Sequence, residues 1–144
     1  MSNPRGFVKL RLVGPDGDIE TPWAEPVGEY FRLDNLPRFA YGISDDDIVE
    51  ATPTDTDGLF DFVRVHIPSG NRLVRIIFDP PEASQPILDH IKAMGCHCEG
   101  ANRSYVAIRI PPDVDLDYVT SYLVTTGHRW EHANPTYDEL HPGA

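Results

Sequence analysis

The chain has 144 residues, with 23 Asp and Glu against 12 Lys and Arg, a formal net charge of −11, 14 prolines and 40% hydrophobic residues. That length suits one domain or two small lobes, and the apolar content excludes a disordered chain. The charge argues against a general binder of nucleic acid or anionic membrane, because phosphates are neutralised by clustered Lys and Arg.

The first half reads as strands. Phe7 to Val13 alternates, with Val8, Leu10 and Leu12 on one face. Gly14-Pro15-Asp16-Gly17 is a turn cluster. Ile19 to Ala24 and Glu29 to Leu33 are predicted as two short strands separated around Pro26 to Gly28. Residues 34 to 47 form a long connection with little periodicity, Ile48 to Ala51 begins a further strand, and Thr52 to Gly58 is a polar turn. Leu59 to Ile67 and Arg72 to Phe78, flanking Pro68-Ser69-Gly70-Asn71, read as the clearest hairpin in the chain. Short strands with Gly and Pro turns predict a small antiparallel barrel or curled sheet.

The pattern then changes. Ser84 is the predicted N-cap of a helix carrying Ile87, Leu88, Ile91 and Met94 at helical spacing, ended by Gly95. Cys96 to Glu99 and Arg103 to Ile110 make a second hairpin across Gly100-Ala101-Asn102. Asp113 or Asp115 caps a second helix with Leu116, Val119 and Leu123 inward, ended by Gly127. His128 to Ala133 is a last strand, and the polar tail from 135 to 144 is expected to be loosely held. The predicted fold is α+β: an N-terminal antiparallel β-barrel-like lobe (1–71) fused to a ferredoxin-like βαββαβ lobe (72–134), in one compact unit.

Four constellations bear on chemistry. Cys96-His97-Cys98 offers soft ligands, but Cys96 and Cys98 are half of a zinc site, and buried thiols on a sheet are the competing reading. No cofactor is expected. His128-Arg129-Trp130-Glu131-His132 matches H-x-x-E-H, a zinc motif that needs a helix. On a strand its two histidines stand about 13 Å apart, too far for one metal. Between Ser44 and Asp61 lie Asp45, Asp46, Asp47, Glu50, Asp55, Asp57 and Asp61, without Lys or Arg. They read either as solvated turns or as a docking surface for a basic protein. Lastly, if Val74, Ile76, Val106 and Ile108 face the helices, then Arg75, Tyr105 and Arg109 share the other sheet face. That face either packs on the first half, where its arginines pair with acids, or binds an anionic small molecule. No nucleophile elbow, P-loop or dinucleotide fingerprint is present.

The segments Trp23-Ala24-Glu25-Pro26, Phe31 to Ser44 (FRLDNLPRFAYGIS) and Asp47-Ile48-Val49-Glu50-Ala51, with the run from Ser69 to Arg75, resemble an uncharacterised bacterial family classed as a domain of unknown function. The resemblance covers about the first 78 residues well and the rest loosely. It implies membership and brings no activity, cofactor or catalytic residue. Pro37 and Gly42 read as chain-direction devices, Asp34 and Asn35 as turn residues.

Two functions are expected from these features. The first is a non-enzymatic binding protein that recognises a basic protein through the acidic loops, an immunity-type or antitoxin-like inhibitor being one version. The second is a small enzyme or anionic-ligand sensor with a pocket between the lobes, drawing on Glu25, Asp34, His66, Arg75, Tyr105 and Arg109. The cytoplasm is the expected location. No apolar run approaches the roughly 18 residues that cross a bilayer. Met1 to Gly6 lacks a signal-peptide core. Cys96 and Cys98 are too close in sequence for an unstrained bridge.

Overall fold

Alternation in the first strands sets one side chain in two toward a common interior, and the structure, a computed structural model, closes that interior into a barrel. It describes residues 6–100, 102 and 104–143. Met1 to Arg5, Ala101 and Arg103 of the second predicted hairpin, and Ala144 lie outside the described residues. The chain divides into two units, the first ending at Ser69 and the second beginning at Gly70.

The first unit holds β1 (Val8–Val13), β2 (Ile19–Glu20), β3 (Trp23–Val27), β4 (Tyr30–Leu33), β5 (Ile48–Pro53) and β6 (Leu59–Ile67). β1, β3, β4, β5 and β6 pair in that order, β2 hangs on β1, and β6 returns to β1. The closing pair is parallel, with Lys9 opposite Leu59 and Arg11 opposite Asp61. Five strands running alternately up and down leave the last parallel to the first, so an odd-stranded barrel cannot be antiparallel throughout. Leu10, Leu12, Ala24, Phe31, Leu33 and Val49 fill the interior, joined by Ala40 and Ile43 from the connection between β4 and β5.

The second unit holds β7 (Arg72–Ile77), α1 (Ser84–Ala93), β8 (His97–Gly100), β9 (Tyr105–Ile110), α2 (Leu116–Thr126), β10 (Arg129–Asn134) and α3 (Tyr137–Leu140). Its four-stranded sheet has the order β10-β7-β9-β8, antiparallel throughout. Val74, Ile76, Phe78, Val106, Ile108 and Ile110 from the sheet meet Ile91 of α1 and Val119 and Leu123 of α2 in one core. Gly127 ends α2 at φ 76°, the left-handed conformation that glycine adopts without strain.

Several expectations are corrected. The segment 19–24 is two strands, because Pro22 cannot donate to a ladder and breaks the run. Pro26, expected to separate strands, lies inside β3 opposite Phe31, and the turn falls instead between Val27 and Tyr30. The segments 59–67 and 72–78 are not a hairpin. β6 gives its edges to β5 and β1, and β7 gives its edges to β9 and β10, so neither has an edge left for the other. Ser84 does not cap α1. A 3-10 turn over Pro81–Ala83 runs into the helix, and the Ser84 amide donates to the Pro81 carbonyl. Asp115 occupies the N-cap of α2 but makes no side-chain cap bond, so its charge acts there through the helix dipole alone. Within the tail, expected to be loosely held, Tyr137–Leu140 form α3. Thr136 and Glu139 close a capping box, with the Glu139 amide donating to Thr136 Oγ1 at 3.2 Å and the Thr136 amide to Glu139 Oε1 at 3.0 Å.

Candidate functional site

The acidic run from 45 to 61 is not one exposed patch. Asp45 and Asp47 are buried, at 4% and 2% exposure. The Asp47 carboxylate accepts the Ser44 amide on Oδ2 at 2.9 Å and the Ser69 amide on Oδ1 at 2.7 Å. It staples the end of the 34–47 connection to the end of β6, where a partner has no access to it. Asp46 accepts from Arg32 Nη1 at 2.7 Å. Glu50 lies opposite Arg64 across β5 and β6 and accepts from Arg64 Nε at 2.7 Å. Asp61, opposite Arg11 at the barrel seam, accepts its guanidinium in two bonds of 2.6 and 2.8 Å. These bonds hold the Asp61 and Glu50 carboxyls below the ordinary carboxylate range. Opposite charges set directly across a sheet select the register. Most of the run is therefore internal wiring, and of the seven acids only Asp55 and Asp57 stand exposed in a turn without a hydrogen bond or ion pair among the described residues.

The residues expected to line a ligand site divide between the units. Glu25, in the first, lies opposite Arg32 and pairs with it. Asp34 follows β4 and donates its amide to the Trp23 carbonyl at 2.9 Å. His66 stacks on Tyr30, ring centroids 4.1 Å apart and ring planes nearly parallel. Arg75, Tyr105 and Arg109 are in the second unit, and the register places them on one sheet face: Arg75 opposite Ala107, Ile77 opposite Tyr105, and Leu73 opposite Arg109.

Two of those three line a cleft of about 340 Å3 walled by Arg75, Ile77, Tyr105, Arg129, Trp130 and Glu131. Arg109, one row further along β9, is not part of its wall. The cleft is built by strand order. β10 lies beside β7 with Arg129 opposite Ile77 and Glu131 opposite Arg75. Arg75 is 1% exposed, and its Nη1 is 3.4 Å from Glu131 Oε1, whose side chain is 43% exposed. Arg129 is exposed and makes no ion pair among the described residues. Trp130 packs against the helix-side core and also lines the cleft. Arg129, Trp130, Glu131 and Ile77 were not singled out for this role by the sequence. The available signal was the H-x-x-E-H run, whose zinc chemistry needs a helix and whose histidines a strand spaces too widely for one metal.

That run is strand β10 from Arg129 onward. His128 meets Phe78 edge-on, His132 meets Trp130 edge-on, and burial lowers the His132 pKa. Cys96 and Cys98 are thiols whose pKa values burial raises, that of Cys98 to about 11. Among the described residues, no group of three or more His, Cys, Asp or Glu is placed to hold a metal ion, and no helix is long and apolar enough to cross a membrane.

The chain is similar to a crystal structure of a hypothetical protein from Neisseria gonorrhoeae, with a TM-score of 0.72 at 16% identity over 95% of this chain and 99% of that one. A likeness at that identity concerns the fold. No curated protein matches the chain. The family model of DUF4265, a domain of unknown function, matches residues 20–132. It therefore takes in both the barrel strands from β2 onward and the sheet that carries the cleft, and the chain belongs to the DUF4265 family.

Proposed function

We propose that the second unit is a ferredoxin-like module whose non-helical sheet face binds a small anionic ligand, and that the protein acts in the cytoplasm as a ligand-binding protein without catalysis. The element order βαββαβ and the sheet order β10-β7-β9-β8 support the fold reading. One observation carries the functional reading: Arg129, exposed and in no ion pair among the described residues, stands with Tyr105 and Ile77 on one cleft of a chain whose net charge is −11. A concave site with apolar walls and a few converging charged groups is the usual form of a small-molecule site. Arginine suits carboxylate recognition because its planar fork donates two parallel hydrogen bonds. A basic protein partner is the weaker reading, since docking through the 45–61 acids would rest on Asp55 and Asp57.

A heteronuclear NMR titration of the whole chain with 3-phenylpropanoate tests this. Saturable amide shifts centred on residues 75, 77, 105 and 129–131, abolished in Arg129→Ala, are expected. Shifts that do not saturate, or that scatter over the surface, would refute it.

A further inference from the structure

Three ionised side chains wall the cleft, Arg75, Arg129 and Glu131. Resting on the reading of the cleft as a ligand site, we propose that its ligand is a monocarboxylate with a compact apolar or aromatic body. Arg129 receives the one anionic group, Ile77 and Tyr105 carry the body, and the Glu131 carboxylate turns away a second negative charge.

The charge balance sets the first part. Arg75 is buried and ion-paired with Glu131, so those two answer each other. Arg129 is exposed and makes no ion pair among the described residues, which leaves the wall one net positive charge. A carboxylate brings one negative charge at neutral pH and takes the guanidinium fork in two parallel hydrogen bonds. A second anionic group would find no further unpaired cation in the wall. It would instead meet Glu131, two residues from Arg129 on β10 and on the same sheet face. The Cα atoms of those two residues stand about 7 Å apart, inside the screening length of about 8 Å at physiological salt, so the repulsion reaches the ligand. A phosphate ester, close to doubly charged at neutral pH, meets the same barrier.

Register sets the second part. Arg129 lies opposite Ile77, and Ile77 opposite Tyr105, so the three cross β10, β7 and β9 in one row. Neighbouring strands are about 4.8 Å apart, which puts about 10 Å between the two ends of the row. Ile77 is 37% exposed, whereas Arg75 and Ala107 in the next row are buried. The apolar surface open to a ligand therefore runs from Arg129 toward Tyr105. One ring, or a short branched chain, covers that distance. A cleft of about 340 Å3 is near the lower end of ligand pockets, which suits a molecule of this size.

Calorimetric titration of the full chain with 3-phenylpropanoate, 3-phenylbutanoate, phenylsuccinate and propanoate decides it, at about pH 7.5, where every carboxyl is ionised. 3-Phenylbutanoate and phenylsuccinate carry a methyl and a second carboxylate on the same carbon, so charge changes while shape is nearly held. 3-Phenylbutanoate is expected to bind within about threefold of 3-phenylpropanoate, and phenylsuccinate about tenfold or more weaker. Propanoate, which lacks the ring, should also bind about tenfold or more weaker, and Ile77→Thr should weaken 3-phenylpropanoate while leaving propanoate within about twofold. Glu131→Gln removes the repelling charge and should narrow the gap between 3-phenylbutanoate and phenylsuccinate to about threefold or less. Should Glu131→Gln disturb the fold, seen by circular dichroism, the ligand series on the native chain still decides. Phenylsuccinate or propanoate binding as tightly as 3-phenylpropanoate would overturn this inference and leave the anionic-ligand reading standing. Equal loss of 3-phenylbutanoate and phenylsuccinate would do the same, because shape and not charge would then exclude them. No binding of any of these acids up to about 10 mM would overturn both readings.

Discussion

Replacing Asp47 by Ala removes a buried carboxylate that holds two backbone amides. The Ser44 amide belongs to a residue with 0% exposure and is bonded to Oδ2 at 2.9 Å, so the variant takes that acceptor away where little water can replace it. A hydrogen bond to a charged group contributes about 1.5–3 kcal/mol, and an orphaned buried donor costs about 1–3 kcal/mol. The Ser69 amide, 2.7 Å from Oδ1, is half-buried, and water can replace its partner, so its loss adds only about 0.5–1 kcal/mol. Relief from burying the carboxylate offsets part of this. The net cost is about 2–3 kcal/mol for the first unit. Asp47→Asn keeps one acceptor oxygen and should lose about half as much. The chain has two tryptophans, and Trp23 lies in the barrel, so urea unfolding followed by Trp23 fluorescence in a Trp130→Phe background reads this unit. A midpoint for Asp47→Ala equivalent to less than about 0.5 kcal/mol of change would refute the staple, since ordinary surface substitutions fall within that range.

Three further outcomes are expected. Gly127→Ala places a Cβ at φ 76° with open space around it, so conformational strain alone should cost about 1 kcal/mol, measured as a lowered Tm of the second unit. Cys96 and Cys98 should react with a thiol reagent at pH 8 far more slowly in the native chain than in urea, because burial raises both pKa values, that of Cys98 to about 11; equal rates would show that the sheet does not shield them. Their raised pKa values also mean stability that is present below about pH 8.5 and lost as pH rises toward the folded values. The His132 pKa is lowered by burial and by His141. Its contribution is therefore present above the unfolded pKa of about 6.5 and lost as pH falls below it. His132→Phe should flatten that acid limb in urea titrations at pH 5 to 7, and an unchanged limb would place the titration elsewhere.

Periodicity made much of the second unit legible. Val74, Ile76, Val106 and Ile108 alternate, so their common face, and the opposite face with Arg75, Tyr105 and Arg109, follow from the pleat alone. Local chemistry likewise stops α2, because Gly127 takes a left-handed conformation that other residues resist. Partnership was not legible. Two alternating runs flanking Pro68 to Asn71 look like a hairpin to any local rule, and only the claims of β5 and β1 on one, and of β9 and β10 on the other, keep them apart. The acids show the same division. Asp47 and Asp55 are one residue type in one acidic run, yet the first is buried on two amides and the second stands in an exposed turn. The cleft, too, depends on β10 lying beside β7, which brings Glu131 opposite Arg75 from 56 residues away. Sequence determined which faces are apolar and where the chain must turn, because those are set by neighbours along the backbone. Tertiary structure alone decided which strands share an edge, and with that which charges are buried, paired or left to face a ligand.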